Sequence, residues 1–253
     1  MMAKANEYEA TSSATAPRRP PMVERHRRPR GSRSCIEPAP GRAVGIRPRL
    51  HPARRRRCYG DADYDWDHRV NTTSAAVGWR DRLLGVFHSP YQPTEPALFH
   101  EMLDALQQQS HLDVREFTFI DLGSGKGRTL LLASDYPFRR IVGVELLPAL
   151  HHIAQENLQK YHSESEKCFA LESICENAAA FAFPAEPTVL YLFNPFPEAG
   201  LRGMLANLDR SLRENPRPVY VLYHNPLLEH VLRESTALTK VGGTHQYSAY
   251  KSQ

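Results

Sequence analysis

The segment FIDLGSGKGRTLLLAS, Phe119 to Ser134, constrains the fold more than any other part of the chain. It runs apolar, turns acidic at Asp121, passes Gly123, Gly125 and Gly127 in quick succession, and becomes apolar again. An apolar run that ends in a glycine-rich turn and resumes with helical periodicity reads as strand, tight turn, helix. Glycine permits conformations and close approaches that a Cβ forbids, so such a turn brings main chain against a small polar ligand.

The same alternation continues on both sides. Phe117–Ile120, Arg140–Val144, Phe169–Cys175, Thr188–Phe193 and Val219–Tyr223 read as strands. Between them lie helical patterns over Thr129–Ser134, over Pro148–Tyr161, and through Leu201, Met204, Leu205, Leu208 and Leu212. A further helix is expected over Pro96–Leu106, where Phe99, Met102, Leu103 and Leu106 share one face, and a short one over Leu227–Leu232. Leu238–Val241 and Gln246–Tyr250 flank Gly242-Gly243, which reads as a terminal hairpin. Strand–helix alternation of this kind predicts a doubly wound α/β domain with a mostly parallel sheet, covered on both faces.

Charge is distributed unevenly. Residues 1–60 hold 1 Lys and 14 Arg against 4 Glu, a net of +11, whereas the remainder holds 17 basic and 24 acidic residues, a net of −7. The first 60 residues are rich in Pro and Arg and poor in large apolar side chains. They are expected to form a disordered basic arm, because they cannot bury enough surface to offset ordering entropy. A targeting role for the arm and a wrongly assigned start codon both stay open. Arg clusters can neutralise phosphates, so nucleic acid is a possible partner of the arm. The expected organisation is thus an arm over 1–60, a lid and helical segment over 61–110, and the ligand-binding domain over 111–253.

Cys35, Cys58, Cys168 and Cys175 form no Cys-x-x-Cys pair and no zinc-finger spacing, which fits a reducing cytoplasm. No run approaches the roughly 18 apolar residues of a membrane span. The alternating Asp61, Asp63 and Asp65 suggest a calcium loop, but the sixth and twelfth positions hold Trp66 and Thr72, where such a loop requires Gly and Glu. No metal is expected.

Three ligand classes use glycine turns of this type. A phosphate-binding loop needs G-x-x-x-x-G-K-[ST], and Ile120 and Gly127 fail it at both ends. A dinucleotide fingerprint needs G-x-G-x-x-G, and Arg128 occupies its third glycine position. The observed pattern, Asp-x-Gly-x-Gly-x-Gly over Asp121–Gly127, resembles motif I of the class I, seven-strand S-adenosylmethionine-dependent methyltransferases. That resemblance implies a Rossmann-like seven-strand sheet closed by an antiparallel C-terminal hairpin, with S-adenosyl-L-methionine as cofactor. It implies that Gly123, Ser124, Gly125 and Gly127 approach the methionine part and that Asp121 attracts its ammonium. Glu145, 18 residues past Gly127, then stands where a carboxylate accepts from the ribose hydroxyls. Asn177 falls where the family usually has an Asp near the adenine amino group, a departure that removes the charge.

Asn194-Pro195-Phe196, after the fourth strand, resembles the [Asn/Asp]-Pro-Pro-[Tyr/Phe] motif of amino-group methyltransferases. The resemblance implies that Asn194 and a neighbouring carbonyl orient an amine and that Phe196 packs against the acceptor. Tyr91-Gln-Pro-Thr94 resembles a segment preceding motif I in small lysine-methyltransferase-like proteins, where it forms part of a lid. Tyr91 and Thr94 would then cover the sulfonium, and Thr94 also stands where it can cap a helix. His224 has two readings, a proton acceptor or a structural residue at a strand end. The activity expected is methyl transfer to a nitrogen nucleophile, with a protein lysine as first choice and a small amine or nucleobase as second. The alternative is a nucleic-acid-binding or scaffold protein on a cofactor-binding fold.

Overall fold

A computed structural model describes residues 62–73 and 92–253. The expected basic arm, Asp61, Cys35, Cys58 and Tyr91 lie outside the described residues. The strands are β1 (Thr118–Leu122), β2 (Arg140–Glu145), β3 (Leu171–Cys175), β4 (Thr188–Leu192), β5 (Val219–His224), β6 (Leu238–Gly243) and β7 (Tyr247–Ser252). They form one seven-stranded sheet of order β3-β2-β1-β4-β5-β7-β6. The first five strands are parallel, and β7 runs antiparallel between β5 and β6. This is the fold class expected from the sequence.

Alternation along each central strand divides the core into two. Phe119, Ile141, Val189, Tyr191 and Leu222 face one side, and Ile120, Val142, Leu190, Leu192 and Val221 the other. Parallel strands buried on both faces account for near-continuous apolar runs such as TVLYL. On the first side pack α2 (Pro96–Ser110), through Phe99, Met102, Leu103 and Leu106, and α3 (Arg128–Ala133). On the second packs α5 (Glu198–Glu214), through Leu201, Met204, Leu205 and Leu208. Helix α4 (Pro148–Lys160) lies after β2 and starts with Pro in its first turn, where the missing N–H is harmless. Helix α6 (Glu229–Arg233) is a short turn of helix after β5.

Three sequence expectations shift. The terminal hairpin does not turn at Gly242-Gly243: both belong to β6, and the chain reverses over Thr244–Gln246, closed by Thr244 N–H donating to Tyr247 O at 2.8 Å. Gly243 is needed for another reason, since a Cβ there would lie 2.5 Å from Tyr247 O. Strand β3 begins at Leu171, leaving Phe169 exposed. A helix the sequence pattern did not reveal, α1 (Ala62–His68), precedes the domain.

The order reverses between β1 and β4, which are neighbours although two strands separate them in sequence. In open α/β sheets the crevice outside the strand carboxyl ends at such a reversal is where ligands bind. Gly143 in β2 helps to shape that edge. A Cβ there would sit 2.7 Å from Ser124 Oγ and 2.6 Å from Leu130 Cδ1. Gly143→Ala is therefore expected to cost about 1–3 kcal/mol, the range for overpacking a core. The urea-unfolding midpoint of the variant measures it.

Candidate functional site

Five strand-end features converge at the carboxyl edge of the sheet. The first is the turn after β1. Gly123 N–H and Ser124 N–H both donate to Val144 O, at 2.8 and 3.1 Å, so the turn is pinned to β2. Gly127 N–H closes it onto Ser124 O at 2.8 Å. Gly123, Gly125 and Gly127 have φ of 89°, 55° and 82°, the left-handed region where a side chain is disfavoured. At Gly123 space is also lacking, because a Cβ would lie 2.5 Å from Pro195 Cβ. Pro195 and the turn thus meet across the β1–β4 boundary.

The second feature is Glu145, buried at the end of β2. Its Oε2 accepts from Gly125 N–H and its Oε1 from Leu147 N–H, both at 2.8 Å. The carboxylate expected at this edge from its spacing is therefore in direct contact with the middle of the turn. The third is Asp121, buried beneath the turn and accepting from Thr129 Oγ1. Burial pushes its carboxyl from the usual 3.8 up to about 7, the Glu145 charge adds to this, and the Thr129 hydrogen bond opposes it. Ser124 Oγ is buried and has no hydrogen-bond partner among the described residues. Asn177 sits exposed after β3 and caps a turn of 3-10 helix over Ala178–Ala180, its Oδ1 accepting from Ala179 N–H at 3.0 Å.

The fourth feature is the end of β4. Asn194 adopts φ 47°, as does Asn225 at the end of β5. Asn is among the few non-glycine residues that tolerate this region. The Asn194 carboxamide is held at both ends: Oδ1 accepts from Tyr223 Oη at 2.8 Å, and Nδ2 donates to Asn225 O at 2.7 Å. Two neighbouring strand ends are thereby stapled. Phe196, expected to face an acceptor, is packed in the second core side instead, where its Cβ abuts Gly200. Phe193 is the more accessible ring, and it stacks on His224 with centroids 3.9 Å apart.

The fifth is a buried hydroxyl relay. Thr94 Oγ1 meets Tyr191 Oη at 2.8 Å, and Tyr191 Oη meets His224 Nδ1 at 2.8 Å. Thr94 does not cap α2, whose N-cap is Glu95 with no side-chain capping bond. The relay ties the segment before α2 to β4 and β5.

Several residues here escaped sequence reasoning. Tyr191, Tyr223 and Asn225 sit in or beside apolar strands and look like core or turn. Asn157 carried a signal, since it falls seven residues after Leu150 and three after Ala154, on the buried face of α4. Lys126 and Arg128 were visible, but Lys126 read as the centre of a phosphate loop that fails at both ends, and Arg128 as a misfit to the dinucleotide pattern. Among the described residues no cluster of His, Cys, Asp or Glu can hold a metal ion. No described helix is long and apolar enough to cross a membrane.

No protein-family model matches the chain, and no curated protein matches it significantly. Solved structures do. An RNA methyltransferase from Salinibacter ruber in complex with S-adenosyl-L-homocysteine is 20% identical, with 63% of this chain and 92% of that one covered at a TM-score of 0.40. The PH0226 protein of Pyrococcus horikoshii OT3 is 16% identical over 70% of this chain and 100% of its own, at 0.47. The glycopeptide N-methyltransferase MtfA complexed with sinefungin is 12% identical over 60% and 92%, at 0.42.

The His224 environment has a measurable consequence. Burial pulls its imidazole from the usual 6.5 down to about 4, so it is neutral at pH 7. A base whose folded pKa is depressed contributes stability that is complete above 6.5 and is lost as pH falls from there towards 4. An NMR titration of the His224 Hε1 resonance is expected to show a midpoint well below that of an exposed histidine.

Proposed function

We propose that this chain is an S-adenosylmethionine-dependent methyltransferase acting on a nitrogen nucleophile. The observation that carries the reading is the Gly123–Gly127 turn, with its glycines left-handed and its middle held by the Glu145 carboxylate. The residues present fit that ligand. It is a cation without phosphate, and the turn offers a buried carboxyl at Asp121 and an unpartnered hydroxyl at Ser124. Glu145 takes the ribose hydroxyls, Gly123, Gly125 and Gly127 admit the methionine part, and Asn177 borders the adenine. Thr94, tied to Tyr191 at this edge, covers the sulfonium in this reading.

The cofactor supplies an electrophilic methyl carbon on a positively charged sulfur. The chain's task is to aim a neutral nitrogen lone pair at that carbon from opposite the sulfur. Asn194 suits this task because both ends of its carboxamide are already fixed. Its Oδ1 accepts from Tyr223 through one lone pair, and a carboxamide oxygen has two. The second, with the backbone carbonyl of Pro195, orients the acceptor amine. Phe193, stacked on neutral His224, offers the aromatic face at this edge rather than Phe196. A protein lysine, a small amine and a nucleobase amine all present the required nitrogen.

Two outcomes test the reading. Asp121 is protonated below about pH 7 without ligand, and a cation stabilises its carboxylate. S-adenosylmethionine affinity should therefore rise with pH up to about 7 and then level, with proton release on binding near pH 6.5. Calorimetry in two buffers of unlike ionisation heat detects that proton, and Asp121→Asn should abolish it.

The chemistry is tested by incubating the protein with methyl-labelled cofactor and cell extract, then separating labelled protein, nucleic acid and small molecules. Asn194→Gly keeps the left-handed backbone while removing the carboxamide. It is expected to leave cofactor affinity within about threefold and to lower turnover tenfold or more. Transfer at the wild-type rate would remove Asn194 from the reaction.

A further inference from the structure

The pair Lys126 and Arg128 flanks Gly127, yet neither side chain lies on the protein surface: they are 3% and 2% exposed. Both reach the segment Ala62–Thr73 instead. Lys126 Nζ donates to Asn71 Oδ1 at 2.7 Å and to Thr73 O at 2.8 Å. Arg128 Nε donates to Thr72 Oγ1 at 2.7 Å, its NH2 reaches Asp65 Oδ1 at 3.3 Å, and its guanidinium lies 4.6 Å over the Tyr64 ring. Asn157 completes the attachment. Its Nδ2 donates to Asn71 O and to Lys126 O at 3.0 and 2.9 Å, and its Oδ1 accepts from Asn71 N–H at 2.8 Å. Asp65 in turn accepts from the main-chain N–H and hydroxyl groups of Thr72 and Thr73, folding the segment back on itself.

These contacts give the two cations that flank Gly127 a counter-charge at Asp65 and acceptors at Asn71, Thr72 and Thr73. Buried charge is tolerated only when paired and hydrogen-bonded. The attachment hangs on a few side chains, these polar groups together with Tyr64 packed against the first core side and His68 beside Tyr161, while α1 is seven residues long and exposes Trp66. Such a segment belongs to the low-stability end of a structure and can open locally.

We infer that Ala62–Thr73 is a clasp that holds the glycine turn in its ligand-ready shape, with Asp65, Asn71 and Asn157 as positioning residues. The inference rests on the turn's being the S-adenosylmethionine site proposed above. Opening the clasp strips Lys126 and Arg128 of these partners and loosens the backbone at Gly125–Gly127. By linkage, a ligand that orders the turn closes the clasp by the same factor.

Arg69 reports the clasp directly, because it is exposed, lies within the segment and has φ 56°. The experiment is limited trypsin digestion of the full chain, following cleavage after Arg69, with and without saturating S-adenosylhomocysteine, beside calorimetric titration of the same ligand. Ligand is expected to slow Arg69 cleavage about tenfold. Asp65→Asn is expected to speed that cleavage in the free protein and to weaken S-adenosylhomocysteine binding about tenfold. Asn71→Ala, an exposed position, serves where Asp65→Asn does not fold, with the same two changes expected. Wild-type binding with no change in Arg69 cleavage would overturn the clasp and leave the cofactor assignment standing. So would faster cleavage in either variant at unaltered affinity. Absence of binding by the wild-type protein would instead overturn the cofactor assignment, and the clasp with it.

Discussion

The turn from Gly123 to Gly127 sets the terms for the rest of the molecule. It is pinned from below by two hydrogen bonds to Val144 O, pressed sideways against Pro195, and held from above by Glu145. The partners come from the ends of the two strands that flank β1, Val144 and Glu145 from β2 and Pro195 from the end of β4, so the turn can take this form only if β2, β1 and β4 lie side by side in register. The glycines are the local condition for that packing. A Cβ at Gly123 would collide with Pro195, and one at Gly143 with Ser124.

From this follows the electrostatic character of the edge. Asp121 and Glu145 are both buried; burial chiefly raises the Asp121 pKa to about 7, and the neighbouring Glu145 charge adds to it. The positive side chains next to the turn, Lys126 and Arg128, reach Asn71, Thr72 and Asp65. The acidic edge, the Asn194 staple and the His224–Tyr191–Thr94 relay line up along neighbouring strand ends. A parallel sheet gathers residues far apart in sequence on one rim because all its strands end on the same side.

Sequence reasoning read some of these elements well and missed others for definable reasons. The β1 turn was legible because left-handed backbone leaves a compositional trace, the repeated glycine. The two packed faces were legible because apolar periodicity reports burial. The hairpin turn was misplaced because Gly242-Gly243 looks like a reversal, yet those glycines serve a β-bulge and a close approach to Tyr247. Phe196 was assigned outward by analogy of motif, but its neighbour Gly200 leaves room for the ring to turn into the core. Helix α1 left no apolar stripe to detect, since Tyr64 is its one ring packed on the core among the described residues and Asp65 holds it by charge and hydrogen bonds.

The sequence by itself determined the class of fold, the position of the glycine turn, and the presence of acidic residues at two strand ends. These are local properties: periodicity, glycine content and spacing along a short stretch of chain. Only the tertiary structure decided what Lys126 and Arg128 do, which residues fix Asn194, and that Tyr191 links Thr94 to His224. Those facts depend on pairings between residues about 30 to 100 positions apart. No periodicity encodes such pairings, because they are selected by burial, where every polar group brought out of water must find whichever partner the fold has placed within reach.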